Sequence, residues 1–113
     1  MLFITSSSAK EMIPGLLLSN MLRPAVVGLA KTLSKELAPD NIRAVALAPG
    51  RIDTPRLRHL GAIDELAEPV PRGRVGSIEE FGSVVAFLAS EQAAFVNGIT
   101  VVVDGGMLNG LLS

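Results

Sequence analysis

The stretch Ile42-Arg-Ala-Val-Ala-Leu-Ala-Pro-Gly-Arg-Ile-Asp-Thr54 decides how this chain is read. Its first half is a run of small and β-branched apolar residues with no polar alternation. That is the pattern of a strand covered on both faces, and it predicts a strand over roughly Ile42 to Leu47. Pro49-Gly50 then ends the run abruptly. In open parallel sheets ligands sit in the crevice outside the carboxyl ends of the strands, which points to Gly50 through Thr54 as the place for chemistry.

Working outward, Leu2-Phe3-Ile4-Thr5 reads as a short apolar strand that gives way to a polar loop at Ser6-Ser7-Ser8. From about Leu16 to Leu37, apolar residues recur at helical spacing: Leu18, Leu22, Ala25, Leu29, Leu33 and Leu37. Pro24 falls inside that helix, where it removes one hydrogen bond at a cost of ~3 kcal/mol and is expected to kink it. Ala38-Pro39-Asp40-Asn41 ends the helix, because proline disfavours helix in the residue before it. Residues 51–75 are rich in Pro and Gly and read as a lid or substrate loop with short helical patches near 55–60 and 62–67. Ser77-Ile-Glu-Glu80 is a capping box opening a helix that runs to about Ser90 with Phe81, Val84, Val85 and Leu88 on one face. Asn97-Gly98 turns the chain into a last β-branched strand, Ile99 to Val103, which stops at Asp104-Gly105-Gly106. The order β-α-β-loop-α-β, with helical crossovers, implies an α/β fold with three parallel strands: half of a Rossmann-like doubly wound sheet.

At 113 residues the chain is expected to form one small, partial domain over 1–113. Its 49% hydrophobic content is high for that size, so it is expected to continue into more protein or to bury surface as a homo-oligomer. A net charge of −1 with scattered Lys and Arg argues against a nucleic-acid partner. The absence of Cys removes disulfides and thiolate metal sites and fits a reducing, cytoplasmic compartment. Met12 to Ala30 holds Pro14, Gly15, Ser19, Asn20, Arg23 and Pro24, too many breakers and polar groups for a membrane span. One His and dispersed acids make no metal constellation.

Five pieces in order resemble the C-terminal half of the short-chain dehydrogenase/reductases: Ile4-Thr-Ser6, Pro14-Gly15, Ala48-Pro-Gly-Arg-Ile-Asp-Thr54, Phe87-Leu-Ala-Ser90 and Val101-Val-Val-Asp-Gly-Gly106. The resemblance covers nearly the whole chain. It implies hydride transfer between NAD or NADP and a small carbonyl or alcohol substrate. In the family a Ser binds the substrate oxygen, a Tyr moves the proton, and a Lys four residues later tunes the Tyr and holds the ribose. The family spacing of 13 residues from Ser6 reaches Ser19, and four more reach Arg23, so Tyr-x-x-x-Lys reads here as Ser19-Asn-Met-Leu-Arg23. The chain has no Tyr anywhere, and no change of register restores the motif.

A phenol, with a pKa of about 10, can be tuned toward neutrality by a nearby cation, whereas an aliphatic hydroxyl starts several units higher. Arg23 keeps the charge but cannot relay a proton. Ser6, Ser19 and Arg23 therefore stand as degenerate catalytic positions. The resemblance assigns Pro49, Gly50, Ile52, Thr54 and Arg23 to the nicotinamide end of the cofactor. The Gly-rich turn that cradles a dinucleotide pyrophosphate has no counterpart in the chain, so weak or no NAD(P) binding is expected from these residues alone. His59 in the loop reads as a solvated side chain or a substitute acid. Arg51, Arg56, Arg58, Arg72 and Arg74 read as a solvated basic lid or an anion-favouring one. Two functions remain open: a piece of a divergent oxidoreductase that is inactive alone, and a non-catalytic binding or oligomerisation module.

Overall fold

The structure, a computed structural model, describes residues 1–112. Three strands, β1 (Leu2–Ile4), β2 (Val45–Pro49) and β3 (Thr100–Val103), form one sheet in the order β1-β2-β3, and both pairings are parallel. Four helices accompany it: α1 (Leu17–Glu36), α2 (Pro55–Arg58), α3 (Ile63–Ala67) and α4 (Ile78–Ala89). The predicted β-α-β-loop-α-β order and α/β class are therefore observed.

The central strand explains the layering. Val45, Ala46, Leu47 and Ala48 are all completely buried, as an unbroken apolar run requires. Val45 and Leu47 turn to one face and pack with Leu88 of α4, Ala93, Phe81, Val84, Val85 and Val101. Ala46 and Ala48 turn to the other face, where their small side chains let α1 approach β2 closely. Sheet-facing helices thus lie on both sides. β1 is an open edge, and Ile4 is exposed on it.

The observed strand starts three residues later than the predicted one and ends two later. Residues 42–44 bond outside the ladder: the Arg43 carbonyl accepts from the Met1 ammonium, and the Ala44 N–H donates to Asn97 Oδ1 at 2.9 Å. At the far end Pro49 is tolerated in a central strand because of where its missing N–H would point. Ala46 and Gly50 donate to β3 and Val45 donates toward β1, so position 49 faces the β1 side, beyond the last pair Ile4↔Leu47. Pro24 lies within α1, which continues past it to Glu36. The capping box is fully formed, Ser77 Oγ accepting from the Glu80 N–H and Glu80 accepting from the Ser77 N–H.

Asn97 joins the layers. Its Oδ1 accepts from Ala44 in β2's lead-in, and its Nδ2 donates to the Ser34 carbonyl of α1 at 2.9 Å. Residues 51–75 are tied down rather than loose. Ile52 bridges Gly76, Arg51 donates to the Leu66 carbonyl, and the Arg72 N–H donates to the Gly105 carbonyl. Leu66 and Val70 are buried beneath that segment. No helix is long and apolar enough to cross a membrane among the described residues.

Candidate functional site

Parallel strands send all their carboxyl ends to one edge of the sheet, and the candidate residues follow from there. At the end of β1, Thr5 places both its N–H (2.7 Å) and its hydroxyl (2.9 Å) on the Leu47 carbonyl of β2. Ser6 then caps a 3₁₀ turn over Ser7–Ala9, its hydroxyl oxygen accepting from the Ser8 N–H at 3.2 Å. That turn brings Ser8, not Ser6, to α1: Ser8 Oγ lies 2.7 Å from Ser19 Oγ. Ser8 is buried, and Ser19 is half-buried. Ser8 is a further hydroxyl at this position that sequence spacing does not point to. The run Ser6-Ser7-Ser8 is the only sequence signal for it, and the 13-residue spacing selects Ser6 within that run.

The first turn of α1 has no side-chain cap at Leu16. Asn20 holds the incoming loop instead, accepting from the Ile13 N–H at 3.0 Å and donating to the Ile13 carbonyl at 2.9 Å. Glu11 Oε1 accepts from two consecutive N–H groups, Asn109 (2.7 Å) and Gly110 (2.6 Å), so the C-terminal segment is tied to the same loop. Arg23, one turn beyond Ser19, is exposed and makes no hydrogen bond or ion pair among the described residues.

At the end of β2 the residues predicted for the nicotinamide end have local roles of their own. A Cβ on Gly50 would lie 2.6 Å from Asp104 Cβ and 2.8 Å from its Cα, so only glycine lets the ends of β2 and β3 come this close. Asp104 in turn accepts from the Gly106 and Leu108 N–H groups, each at 2.8 Å. Thr54 caps α2, accepting from the Leu57 N–H at 3.2 Å.

Ile52 differs. The Arg51 carbonyl and the Asp53 N–H both bond Gly76, so the N–H and C=O of Ile52 itself point the other way and have no partner among the described residues. A donor and an acceptor fixed side by side on a half-buried residue match the C=O and NH₂ of a primary carboxamide. α1 is entered through Pro14-Gly15-Leu16, with no glycine-rich turn between β1 and the helix.

Arg43, Arg51, Arg58 and Arg74 are committed within the chain. Arg58 pairs with both Asp53 oxygens at 2.7 Å, and this holds the Asp53 carboxyl below its ordinary pKa. Arg74 pairs with Glu80 at 2.6 and 2.9 Å; its hydrogen bonds, then the Ser77 N–H, lower the Glu80 pKa to about 2. The Arg56 and Arg72 side chains make no hydrogen bond among the described residues, and His59 is an exposed residue ending α2. No cluster of three metal-ligating side chains occurs among the described residues.

The family model for enoyl-(acyl carrier protein) reductase matches residues 1–108. The 3-oxoacyl-[acyl-carrier-protein] reductase FabG of Thermotoga maritima is 41% identical over 88 residues, 76% of this chain and 36% of that protein. The crystal structure of YwfH, an NADPH-dependent reductase involved in bacilysin biosynthesis, superposes with a TM-score of 0.92 at 32% identity, over 97% of this chain and 47% of that one. An NADPH-bound short-chain oxidoreductase from Pseudomonas aeruginosa PAO1, containing an atypical catalytic center, superposes with a TM-score of 0.90 at 25% identity, over 96% and 46%. The chain thus spans about a third of the curated relative and just under half of these two structures. A strand-end serine turn, a Pro-Gly loop behind a buried strand and a three-strand parallel sheet in this order have one common source: the chain belongs to the short-chain dehydrogenase/reductase family.

Proposed function

We propose that this chain carries the substrate-facing and nicotinamide-facing part of an NAD(P)-dependent oxidoreductase acting on a small carbonyl or alcohol, and that residues 1–113 alone turn nothing over. The observation that carries this reading is the outward N–H and C=O of Ile52, which sit at the same sheet edge as the Ser8–Ser19 hydroxyl pair.

When bound, the nicotinamide supplies or takes up a hydride. Ile52 would hold its carboxamide through the two free backbone groups, with Pro49, Gly50 and Thr54 fixing the loop that presents them. Ser19, in the place of the family's Tyr, offers a hydrogen bond to a substrate oxygen. Its aliphatic hydroxyl ionises too reluctantly to hand over a proton near neutral pH. Arg23, in the place of the Lys, keeps a charge for ribose hydroxyls or a phosphate and relays no proton. Such a site binds and orients an oxygen without protonating it. The NADPH-bound relative with an atypical catalytic center supports cofactor use alongside a departed motif.

Titration of the ¹⁵N-labelled chain tests this reading. With either reduced nicotinamide mononucleotide or NADPH, shifts are expected at Gly50, Ile52 and Thr54, with an apparent Kd weaker than about 1 mM for both. Equal affinities are expected because the adenosine half has no site. NADPH binding in the micromolar range, or shifts clustered elsewhere, would overturn it.

A second reading, assembly, is favoured by one observation: Leu17, Leu18, Met21, Leu22 and Leu29 of α1 are exposed. Light scattering separates the two readings, since a homo-oligomer that dissociates in Leu18→Glu/Leu22→Glu is expected only if α1 forms the contact.

A further inference from the structure

Two hydroxyls at 2.7 Å share one hydrogen, and the direction of sharing decides what Ser19 can do. Suppose Ser19 donated to Ser8. The Ser8 hydrogen would then lie in a position 3% exposed, with no other acceptor among the described residues. Buried donors without partners are rare in native structures. If Ser8 donates to Ser19, the buried group is satisfied and the remaining hydrogen belongs to the half-exposed Ser19. Donation by Ser8 also polarises the Ser19 O–H and strengthens it as a donor. Ser6 makes no hydrogen bond to Ser19 among the described residues; its oxygen accepts from the Ser8 N–H while capping the 3₁₀ turn.

We propose that Ser8 is a positioning residue that donates to Ser19 Oγ and so fixes the Ser19 O–H as an outward donor for a neutral carbonyl oxygen. The ligand half of this statement rests on the proposed oxidoreductase reading; the direction of the hydrogen bond does not. Asn20 supports the geometry by clamping the loop between the two serines.

The ¹³Cβ signals of the three serines in the intact chain, recorded in an equal mixture of H₂O and D₂O, read the direction. A side-chain O–H that exchanges slowly splits its own Cβ into a doublet, and a freely exchanging one leaves a single line. The expected result is a doublet for Ser8 and a single line for Ser19. The Ser8 doublet should collapse in Ser19→Ala. A doublet at Ser19 with a single line at Ser8 would overturn the proposal on the wild-type chain alone, whatever the variants do. A second readout uses cyclohexanone as a neutral ketone probe. Shifts at Ser19 should be present in the wild type and Ser8→Thr, and lost in Ser8→Ala. Retention of those shifts in a folded Ser8→Ala would also overturn it. If the ketone moves nothing in the wild type while the Ser8 doublet behaves as stated, the carbonyl reading of Ser19 fails and the Ser8-to-Ser19 donation stands.

Discussion

The same substitution, glycine to alanine, is expected to have opposite signs at Gly50 and Gly82. At Gly50 the new Cβ would meet Asp104 Cβ at 2.6 Å and Cα at 2.8 Å. Ordinary carbon contact needs about 3.5–4.0 Å, so the ends of β2 and β3 must part by roughly 1 Å. Neither contact atom is the flexible end of a side chain, so relief requires backbone movement. Such movement stretches the Gly50 N–H to Val103 carbonyl bond from its 2.9 Å. Overpacking of this kind costs about 1–3 kcal/mol and the weakened hydrogen bond about 1 more, giving about 2–4 kcal/mol of destabilisation. Gly82 lies inside α4 with nothing within 4 Å of an added Cβ, and replacing an interior helical glycine by alanine gains about 0.5–1 kcal/mol. The chain has neither Trp nor Tyr, so urea unfolding followed by far-ultraviolet circular dichroism is the suitable assay. The two variants should straddle the wild type, with midpoints more than about 1 M apart. A Gly50→Ala midpoint at or above that of the wild type would refute the reasoning, because it would mean that the strand ends separate at no cost.

Asn97→Ala leaves the N–H of fully buried Ala44 without a partner and should destabilise by about 1–3 kcal/mol in the same assay; a change under about 0.5 kcal/mol would contradict the bridging role. Leu47→Ala opens a cavity between β2 and α4 at a completely buried side chain, and a loss of about 2–5 kcal/mol is expected. The Glu80 pKa is depressed from 4.5 to about 2, so its contribution to stability is fully present above about pH 4.5 and is lost as pH falls toward 2. Glu80→Gln should therefore flatten, without abolishing, the fall in urea midpoint across that window, since Asp53 is depressed in the same direction by Arg58. Superimposable pH curves for Glu80→Gln and wild type would contradict the pairing with Arg74.

Local patterns carried the fold well where the cause is local. An unbroken Val45-to-Ala48 run forces burial on both faces, and a Ser-x-x-Glu box fixes where α4 begins. The ends of β2 were less legible because distant groups set them. Ala44 is drawn off by Asn97, and Pro49 is admitted only because β1 is too short to need its N–H. Pro24 lies inside α1 without ending it. In the candidate site, counting relates Ser6 to Ser19, and spacing does not register that a 3₁₀ turn also carries the Ser8 hydroxyl to the helix. Asn20 and Glu11 were invisible for the same reason, as their partners are backbone groups with no residue identity to recognise.

The most direct measurement is turnover in a graft that places residues 1–113 behind the portion of the Thermotoga maritima relative that this chain does not span. NADPH oxidation with a small ketone is followed for the native graft and for the graft carrying Ser19→Tyr and Arg23→Lys. The expected result is NADPH binding by both and ketone reduction at least about 10²-fold faster in the substituted graft, the scale of a restored general acid. Equal turnover in the native graft, or no turnover in a substituted graft that binds NADPH, would contradict the placement of Ser19 and Arg23 at the catalytic positions.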